Sequence, residues 1–159
     1  MKTLFLMFII TICIKPICIQ DVYVILFLFA LAKKDYKTMY IEKYWIIPSG
    51  ILLFFCSSYV SFVNRFFTCL FFLVLSGGMK LLKPSWIGSA DVCFLMFFGF
   101  YLGFERMLVA LYISVVLGFL FIWIKKERLF PYISCLAMGV WIAYLKGYTL
   151  FYFLINLFS

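Results

Sequence analysis

Long apolar runs separated by short charged segments leave this chain few ways to fold. Its 159 residues are 68% hydrophobic and 23% aromatic, and the mean hydropathy is +1.18. A soluble domain of this length leaves too large a share of its surface in water to carry so many apolar side chains. No strand-like alternation runs through the sequence, so a helical bundle is the architecture that satisfies the backbone within a bilayer. We therefore predict an all-α polytopic membrane protein, a single membrane-embedded domain over residues 1–159 with about six to eight transmembrane segments.

Charged, proline and glycine residues divide the chain into segments. The N-terminal run has the outline of a signal peptide but lacks a small-residue cleavage site, which favours an uncleaved first membrane segment. Only the third segment approaches the roughly 20 residues that span a bilayer without tilting or thinning it. The predicted segments are 3–14 (or 3–19), 22–32, 44–63, 66–75, 91–103, 107–124 and 129–145. An apolar tail at 148–158 follows, which either crosses the membrane again or lies in its interface.

The net charge of +8 follows membrane topology and does not indicate nucleic-acid binding. If the N-terminus is cytoplasmic, ten basic residues fall on the cytoplasmic side and four on the other, as the positive-inside rule requires. This orientation places Asp35 and Asp91 on the cytoplasmic side. The ten are Lys2, Lys33, Lys34, Lys37, Lys43, Lys80, Lys83, Lys125, Lys126 and Arg128, and the four are Lys15, Arg65, Arg106 and Lys146.

The residue types present exclude several kinds of chemistry. The chain has no histidine, which removes Ser-His-Asp and Cys-His nucleophile systems as well as His-ligated metal and haem. Its six cysteines include no C-x-x-C pair, and most lie within apolar runs, so they indicate neither a zinc site nor a disulfide framework. We expect no metal and no cofactor.

Two aspartates remain as candidate catalytic residues. Asp35 follows the second segment and Asp91 opens the fifth, and the two spans between them return the chain to the same side. Two close carboxylates share a proton, so one acts as base toward water and the other as acid toward a carbonyl. A structural alternative stays open, in which Asp91 caps its helix and Asp35 balances the neighbouring lysines.

The residues around Asp91 resemble a known motif. Gly88-Ser89-Ala90-Asp91 is similar to the G-x-G-D sequence of type IV prepilin peptidases, with Ala90 in place of the second glycine. Gly99 and Gly103 stand where that family has glycines one and two turns further on. Independently of the family, this Gly-x-x-x-Gly spacing favours close approach of a neighbouring helix.

Two prolines extend the resemblance over most of the chain. Asp35 is followed, after a longer interval than in the family, by Ile47-Pro48, with Ser49 replacing the usual asparagine. Phe130-Pro131-Tyr132 is similar to the family's proline-and-aromatic signature near the start of a late helix. A lysine that commonly follows the aspartate motif is replaced here by Cys93-Phe94.

The resemblance implies an aspartic endopeptidase of the bacterial cytoplasmic membrane that trims prepilin-like precursors, such as pilins, pseudopilins or competence pilins. Asp35 and Asp91 would be its catalytic residues, and Gly88, Ala90, Gly99, Gly103, Pro48 and Pro131 its motif support. The paired cysteines that larger members associate with methylation are absent, so cleavage without methyltransferase activity is expected. Glu42 and Glu127 are candidates for receiving a basic leader, although solvated loop charges need no such role.

Two non-catalytic interpretations stand beside this one. Ala90 is the best support for a catalytically inactive scaffold of a pilus or secretion assembly. A small permease would need polar residues at mid-span, and the sequence offers almost none. The partners expected from the sequence are precursor proteins and the lipid bilayer, with no nucleic acid.

Overall fold

The computed structural model describes residues 19–38, 41–55, 60–84, 87–126 and 131–158, all of which are helices or short connections between them. Within these ranges there are six α-helices and one short 3-10 turn, Lys43–Trp45, and no strand. The helices are α1 (Ile19–Thr38), α2 (Ile46–Phe55), α3 (Phe62–Leu82), α4 (Ser89–Leu102), α5 (Phe104–Lys125) and α6 (Tyr132–Phe158). The all-α membrane bundle predicted from the sequence is confirmed.

Helix α4 is the centre of the bundle. It is apolar on every side, and a helix of this kind is stable only where neighbours cover it. It packs against α2, α3, α5 and α6, while α1 lies on α6 and the pair α5–α6 shares the most extensive interface. The core therefore sits around α4, where Phe94 and Phe98 are fully buried and stacked with ring centroids 5.9 Å apart.

Lipid-facing surface accounts for much of the remaining apolar content. Within the described residues, three helices are long and apolar enough to cross a membrane: Phe62–Leu82, Phe104–Lys125 and Tyr132–Leu157. At 1.5 Å per residue, 21 residues extend about 31 Å, close to the hydrocarbon thickness of a bilayer. Large side chains such as Phe67, Phe119 and Trp123 point outward from these helices, as expected where the surrounding solvent is lipid.

The fifth and sixth predicted segments agree closely with α4 and α5. Gly103 ends α4 with a φ of +77°, a left-handed value that favours glycine, and α5 begins at the next residue. A side chain at position 103 would also collide with Val60, since its Cβ would approach that side chain to 2.8 Å. Gly103 therefore supports the turn between two helices, and Gly99 alone provides the close helix approach.

The third and fourth predicted segments have wrong boundaries. The run 44–63 is not one helix: a 3-10 turn leads into the ten-residue α2, and α3 starts at Phe62, before the Asn64-Arg65 pair that was expected to close the segment. Helix α3 then continues to Leu82 through Gly77 and Gly78, beyond the predicted end of the fourth segment at residue 75. Ser61 caps α3 by accepting a long hydrogen bond, 3.5 Å, from the Asn64 N–H.

One further boundary differs, and one is confirmed. The charged run after the second segment is helical to Thr38, so Asp35 lies in the last turn of α1. The predicted break between the seventh segment and the apolar tail is present as a kink within α6, where Lys146 has non-helical φ and ψ. The first predicted segment, 3–14, lies outside the described residues.

Polar side chains gather at two opposite ends of the bundle. We call the end that carries Asp35 and Asp91 the carboxylate end, and the end that carries Arg65 and Arg106 the arginine end. The positive-inside rule predicts that these two ends face opposite sides of the membrane.

Candidate active site

Asp35 is held by the first turn of α6. The residue is 5% exposed, and its Oδ2 accepts hydrogen bonds from the Ser134 N–H at 2.8 Å and the Ser134 hydroxyl at 3.0 Å. The backbone of Ile133 lies close enough to lower the pKa of the same carboxylate. A residue of α1 thus binds the start of a helix that lies 99 positions further along the chain.

The local sequence explains why α6 needs an external acceptor. The residue before α6 is Pro131, which has no side-chain oxygen to cap the first N–H groups. Its own carbonyl is occupied by the Cys135 N–H at 3.2 Å. A carboxylate at this helix N-terminus is also favoured by the helix dipole, so Asp35 supplies the missing cap from a neighbouring helix.

Asp91 occupies the third position of α4, and its side chain caps the start of this same helix. Its Oδ2 accepts a hydrogen bond from the Gly88 N–H at 3.1 Å, and its side chain is half-buried. A Cβ at position 88 would lie 3.0 Å from that oxygen, so glycine fits this position. Ala90 lies in the first turn with helical backbone, where alanine is a favourable residue, so the motif departure at this position introduces no backbone strain.

The two carboxylates lie within electrostatic range of one another, and each stands at the end of its helix outside the three long spans. Burial raises the pKa of Asp35, and the hydrogen bonds from Ser134 and the nearby backbone of Ile133 partly offset this. Burial also raises the pKa of Asp91; the Gly88 N–H lowers it, the negative charge of Asp35 raises it further, and Lys80 lowers it. The structure therefore brings together the two aspartates that the sequence singled out.

The motif residues lie around this pair in different roles. Gly99 faces α3, where a Cβ would meet the side chains of Phe72 at 3.1 Å and Thr68 at 3.3 Å. Pro48 is exposed in the first turn of α2, where a proline costs no helical hydrogen bond, and Pro131 is buried just before α6. Gly88 and Pro131 thus contribute to the caps that hold the aspartates, while Gly99 and Pro48 shape the helices that carry them.

Of the two glutamates that are candidates for receiving a basic leader, Glu42 lies within the described residues. Glu42 forms an ion pair with Lys34, with Oε2 and Nζ 2.8 Å apart. The same Lys34 ammonium lies over the rings of Tyr44 and Trp45, 5.3 and 5.2 Å from their centroids. Glu42 is therefore engaged within the protein, and Glu127 lies outside the described residues.

Sequence reasoning missed Ser134 and Lys80 as neighbours of the carboxylates. The sequence holds one hint of Ser134, because it is a polar residue three positions after a proline at the start of an apolar run. Tyr132 was noticed only as part of the Phe130-Pro131-Tyr132 signature, and its phenol lies within electrostatic range of Asp91. A serine in a first helical turn commonly caps its own helix. The spacing of residues along the sequence therefore does not predict its hydrogen bond to a distant aspartate.

A pair of carboxylates that share a proton has what peptide hydrolysis needs. One carboxylate removes a proton from water, and the other donates a proton to the carbonyl oxygen of the scissile bond. This chemistry uses side chains alone, and both carboxylates lie at one end of a membrane bundle.

Fold and site define a membrane protein with a pair of buried or half-buried carboxylates at one end of a helical bundle. A family model described as the type IV leader peptidase family matches residues 22–123, which is more than half of the chain and includes both aspartates. The chain belongs to the type IV leader peptidase family and has, in general terms, a leader-peptidase function. Comparisons with curated proteins and with solved structures gave no match.

Proposed function

We propose that this protein is an aspartic endopeptidase that removes the leader of type IV prepilin-like precursors at the cytoplasmic boundary of the bacterial plasma membrane. Asp35, Asp91 and one water molecule carry the reaction. The precursors are pilins, pseudopilins or competence pilins, whose apolar N-terminal helix lies in the bilayer beside the bundle. Confinement of that helix to the membrane orients the scissile bond toward the carboxylate end.

The observation that carries this proposal is the approach of two like charges. Like charges disfavour each other's ionisation, so a fold under selection for stability alone would not place Asp91 within range of the buried Asp35. Each aspartate has a structural partner of its own, yet their proximity serves neither cap. A shared proton is useful, however, for hydrolysis.

The reaction is balanced without any further group. One carboxylate takes a proton from water as the water oxygen bonds to the carbonyl carbon, and the other carboxyl gives its proton to the carbonyl oxygen. As the resulting intermediate collapses, the carboxylate that gave up its proton takes one back from a hydroxyl of the intermediate. The C–N bond breaks, and the leaving amine takes a proton from the carboxyl that accepted one from water. The pair returns to its starting state with one shared proton.

Cleavage without N-methylation is part of the proposal. In the larger proteins that this chain resembles, paired cysteines are associated with methylation. The six cysteines of this sequence form no C-x-x-C pair. The mass of the new N-terminus after processing distinguishes a free amine from a methylated one.

The test is co-expression with candidate precursors, with loss of the leader followed by gel shift. The proteins compared are wild type, Asp35→Asn, Asp91→Asn and the matched control Glu105→Gln, a carboxylate in the first turn of α5 at the arginine end. We expect wild type and Glu105→Gln to process the precursor and both aspartate variants to fail while reaching the membrane in equal amount. Full processing by either aspartate variant would exclude this mechanism.

A second outcome would favour the scaffold interpretation. If wild type processes none of the precursors although it is inserted normally, the protein acts in assembly without cleavage. Tolerance of both Asp→Asn substitutions in a pilus-assembly assay would support that alternative.

A further inference from the structure

The hydroxyl of Ser134 lies between two acceptors. Its Oγ is 3.0 Å from Oδ2 of Asp35 and 2.8 Å from the carbonyl oxygen of Ala32. A serine hydroxyl has one proton and two lone pairs, so it donates to one of these acceptors at a time. The choice between them depends on the protonation state of Asp35.

Both protonation states of Asp35 are accommodated by rotation of this hydroxyl. When Asp35 is ionised, the hydroxyl proton points at Oδ2 and adds to the bond from the Ser134 N–H. When Asp35 is protonated, its own O–H donates to the Ser134 oxygen, and the serine proton turns to the Ala32 carbonyl. Hydrogen bonds to an ionised acceptor are roughly twice as strong as neutral ones, so the serine favours the charged form.

The other charged and titratable groups around the pair differ for the two aspartates. The charge of Asp35 reaches Asp91 on α4 and the thiol of Cys135 on α6. Lys34, one residue before it on α1, is held by Glu42. Asp91 is faced by Lys80 from α3 and by the phenol of Tyr132 from α6.

The hydrogen-bond donors are distributed unequally. Asp35 accepts from the backbone N–H and from the hydroxyl of Ser134, both in the first turn of α6. The hydrogen bond to Asp91 comes from one backbone N–H, that of Gly88. Donors stabilise the charged form of a carboxylate, so the arrangement favours a negative Asp35 beside a protonated Asp91.

We propose that Ser134 is a positioning residue that keeps the negative charge of the carboxylate pair on Asp35 and leaves the shared proton on Asp91. The inference rests on the proposed function, and it assigns the roles of base and acid to the two aspartates. Asp35 takes the proton from water, and Asp91 donates its proton to the carbonyl oxygen. Ser134 lies beyond the residues that the family model matches, 22–123, and it acts through Asp35 without touching the substrate.

The test is the pH dependence of leader cleavage in detergent-solubilised wild type, Ser134→Ala and Ser134→Thr. Removal of the hydroxyl weakens the charged form of Asp35, so the acidic limb of the profile should move to higher pH by about one unit. Threonine keeps a hydroxyl at the same position and should restore the wild-type limb. Ser134→Cys, which has a weaker donor of similar shape, should give an intermediate shift and serves if the alanine variant does not accumulate.

Ser114→Ala is the matched control. Ser114 is fully buried in α5, and its hydroxyl donates to the Leu111 carbonyl at 2.8 Å, away from the carboxylates. Its loss should leave the pH profile unchanged. A Ser134→Ala profile that superimposes on wild type, or a Ser114→Ala profile that moves equally, would overturn the role of Ser134.

Failure of this inference is distinguishable from failure of the proposed function. If Asp35→Asn and Asp91→Asn are inactive and Ser134→Ala keeps the wild-type limb, the peptidase mechanism stands and only the role of Ser134 is wrong. If either Asp→Asn variant cleaves normally, the mechanism itself is wrong.

Discussion

The carboxylate end and the arginine end both use side chains of one helix to cap another, but with different chemistry. At the arginine end, α3 caps the turn between α4 and α5. Asn64 Oδ1 accepts from the Phe104 N–H at 3.3 Å, and Arg65 Nε donates to the Phe100 carbonyl at 2.9 Å. At the carboxylate end, Asp35 of α1 accepts from the first turn of α6. In each case a buried polar group binds backbone atoms that a helix terminus leaves unpaired.

The difference lies in what else surrounds each cap. At the arginine end the guanidinium groups lie on aromatic rings, Arg65 4.3 Å from the Phe100 centroid and Arg106 4.2 Å from that of Tyr148. Cation–π contact is favourable, but Arg65 Nη2 and Arg106 Nε and Nη1 are buried without a hydrogen-bond partner within the described residues, which is unfavourable. At the carboxylate end the cap lies within electrostatic range of a second carboxyl group, Asp91. Burial of polar groups is therefore costly at both ends, and only the carboxylate end also places two acidic groups near one another.

The largest expected effect is a loss of cleavage at the carboxylate end, which should come without a loss of stability for one aspartate and with it for the other. Asp91→Asn keeps an acceptor for the Gly88 N–H and removes the carboxyl group that carries the shared proton, so cleavage should fall by about 1000-fold or more while thermal stability is largely unchanged. Asp35→Ala should lose both cleavage and stability, because α6 loses its cap. Cleavage rates and thermal unfolding in detergent measure the two quantities. Equal destabilisation by both substitutions would make Asp91 a structural cap.

The next effect concerns the packing of α6 against α5. A Cβ at Gly139 would collide with the Ala110 carbonyl oxygen of α5, so Gly139→Ala should displace α6 and lower the free energy of unfolding by about 1–3 kcal/mol. Gly77→Ala is the control, since nothing lies within 4 Å of a Cβ there and alanine should stabilise α3 by up to about 1 kcal/mol. Denaturant titration of both variants checks the sign, and equal effects would contradict the close α5–α6 contact.

A smaller effect is expected at the arginine end. Asn64→Ala removes the acceptor for the Phe104 N–H and should cost about 0.5–2 kcal/mol, typical of a lost cap, with cleavage unchanged. The exposed Asn156 in α6 provides a matched Asn→Ala control that should cost little. Unfolding measurements and the gel-shift assay on the same preparations test this. Loss of cleavage in Asn64→Ala without loss of stability would show that the arginine end also takes part in function.

The smallest effect is the pH dependence of stability. The pKa values of Asp35 and Asp91 are raised above the ordinary 3.8, so the folded protein binds protons that the unfolded chain releases. Stability contributed in this way is present at low pH and is lost as pH rises from about 4 through the raised pKa values. Asp91→Asn should flatten this slope in unfolding measurements across that range. An unchanged slope would show that the two carboxylates do not interact as described.

Agreement between sequence and structure is best where a helix is bounded by residues that act locally. Helices α4 and α5 begin and end within a few residues of the predictions, because Gly88, Gly103 and the charged run at Lys125 mark their ends. The boundary between the third and fourth segments failed, because Asn64 and Arg65 have partners on other helices and so tolerate a position inside α3. Lys33, Lys34 and Asp35 likewise continue α1, where an ion pair and the α6 cap engage two of them.

The amino-acid sequence determined that this protein is an all-α membrane bundle and that Asp35 and Asp91 are its candidate catalytic residues. Hydropathy and the placement of charges depend on each residue's own chemistry. The fold class and the two candidate residues could therefore be predicted from the sequence. Tertiary structure alone decided that Asp35 binds Ser134, that this bond caps α6, and that α3 closes the opposite end. A polar side chain's partner in this fold lies up to 102 residues away, and only the packing of the helices brings the two together.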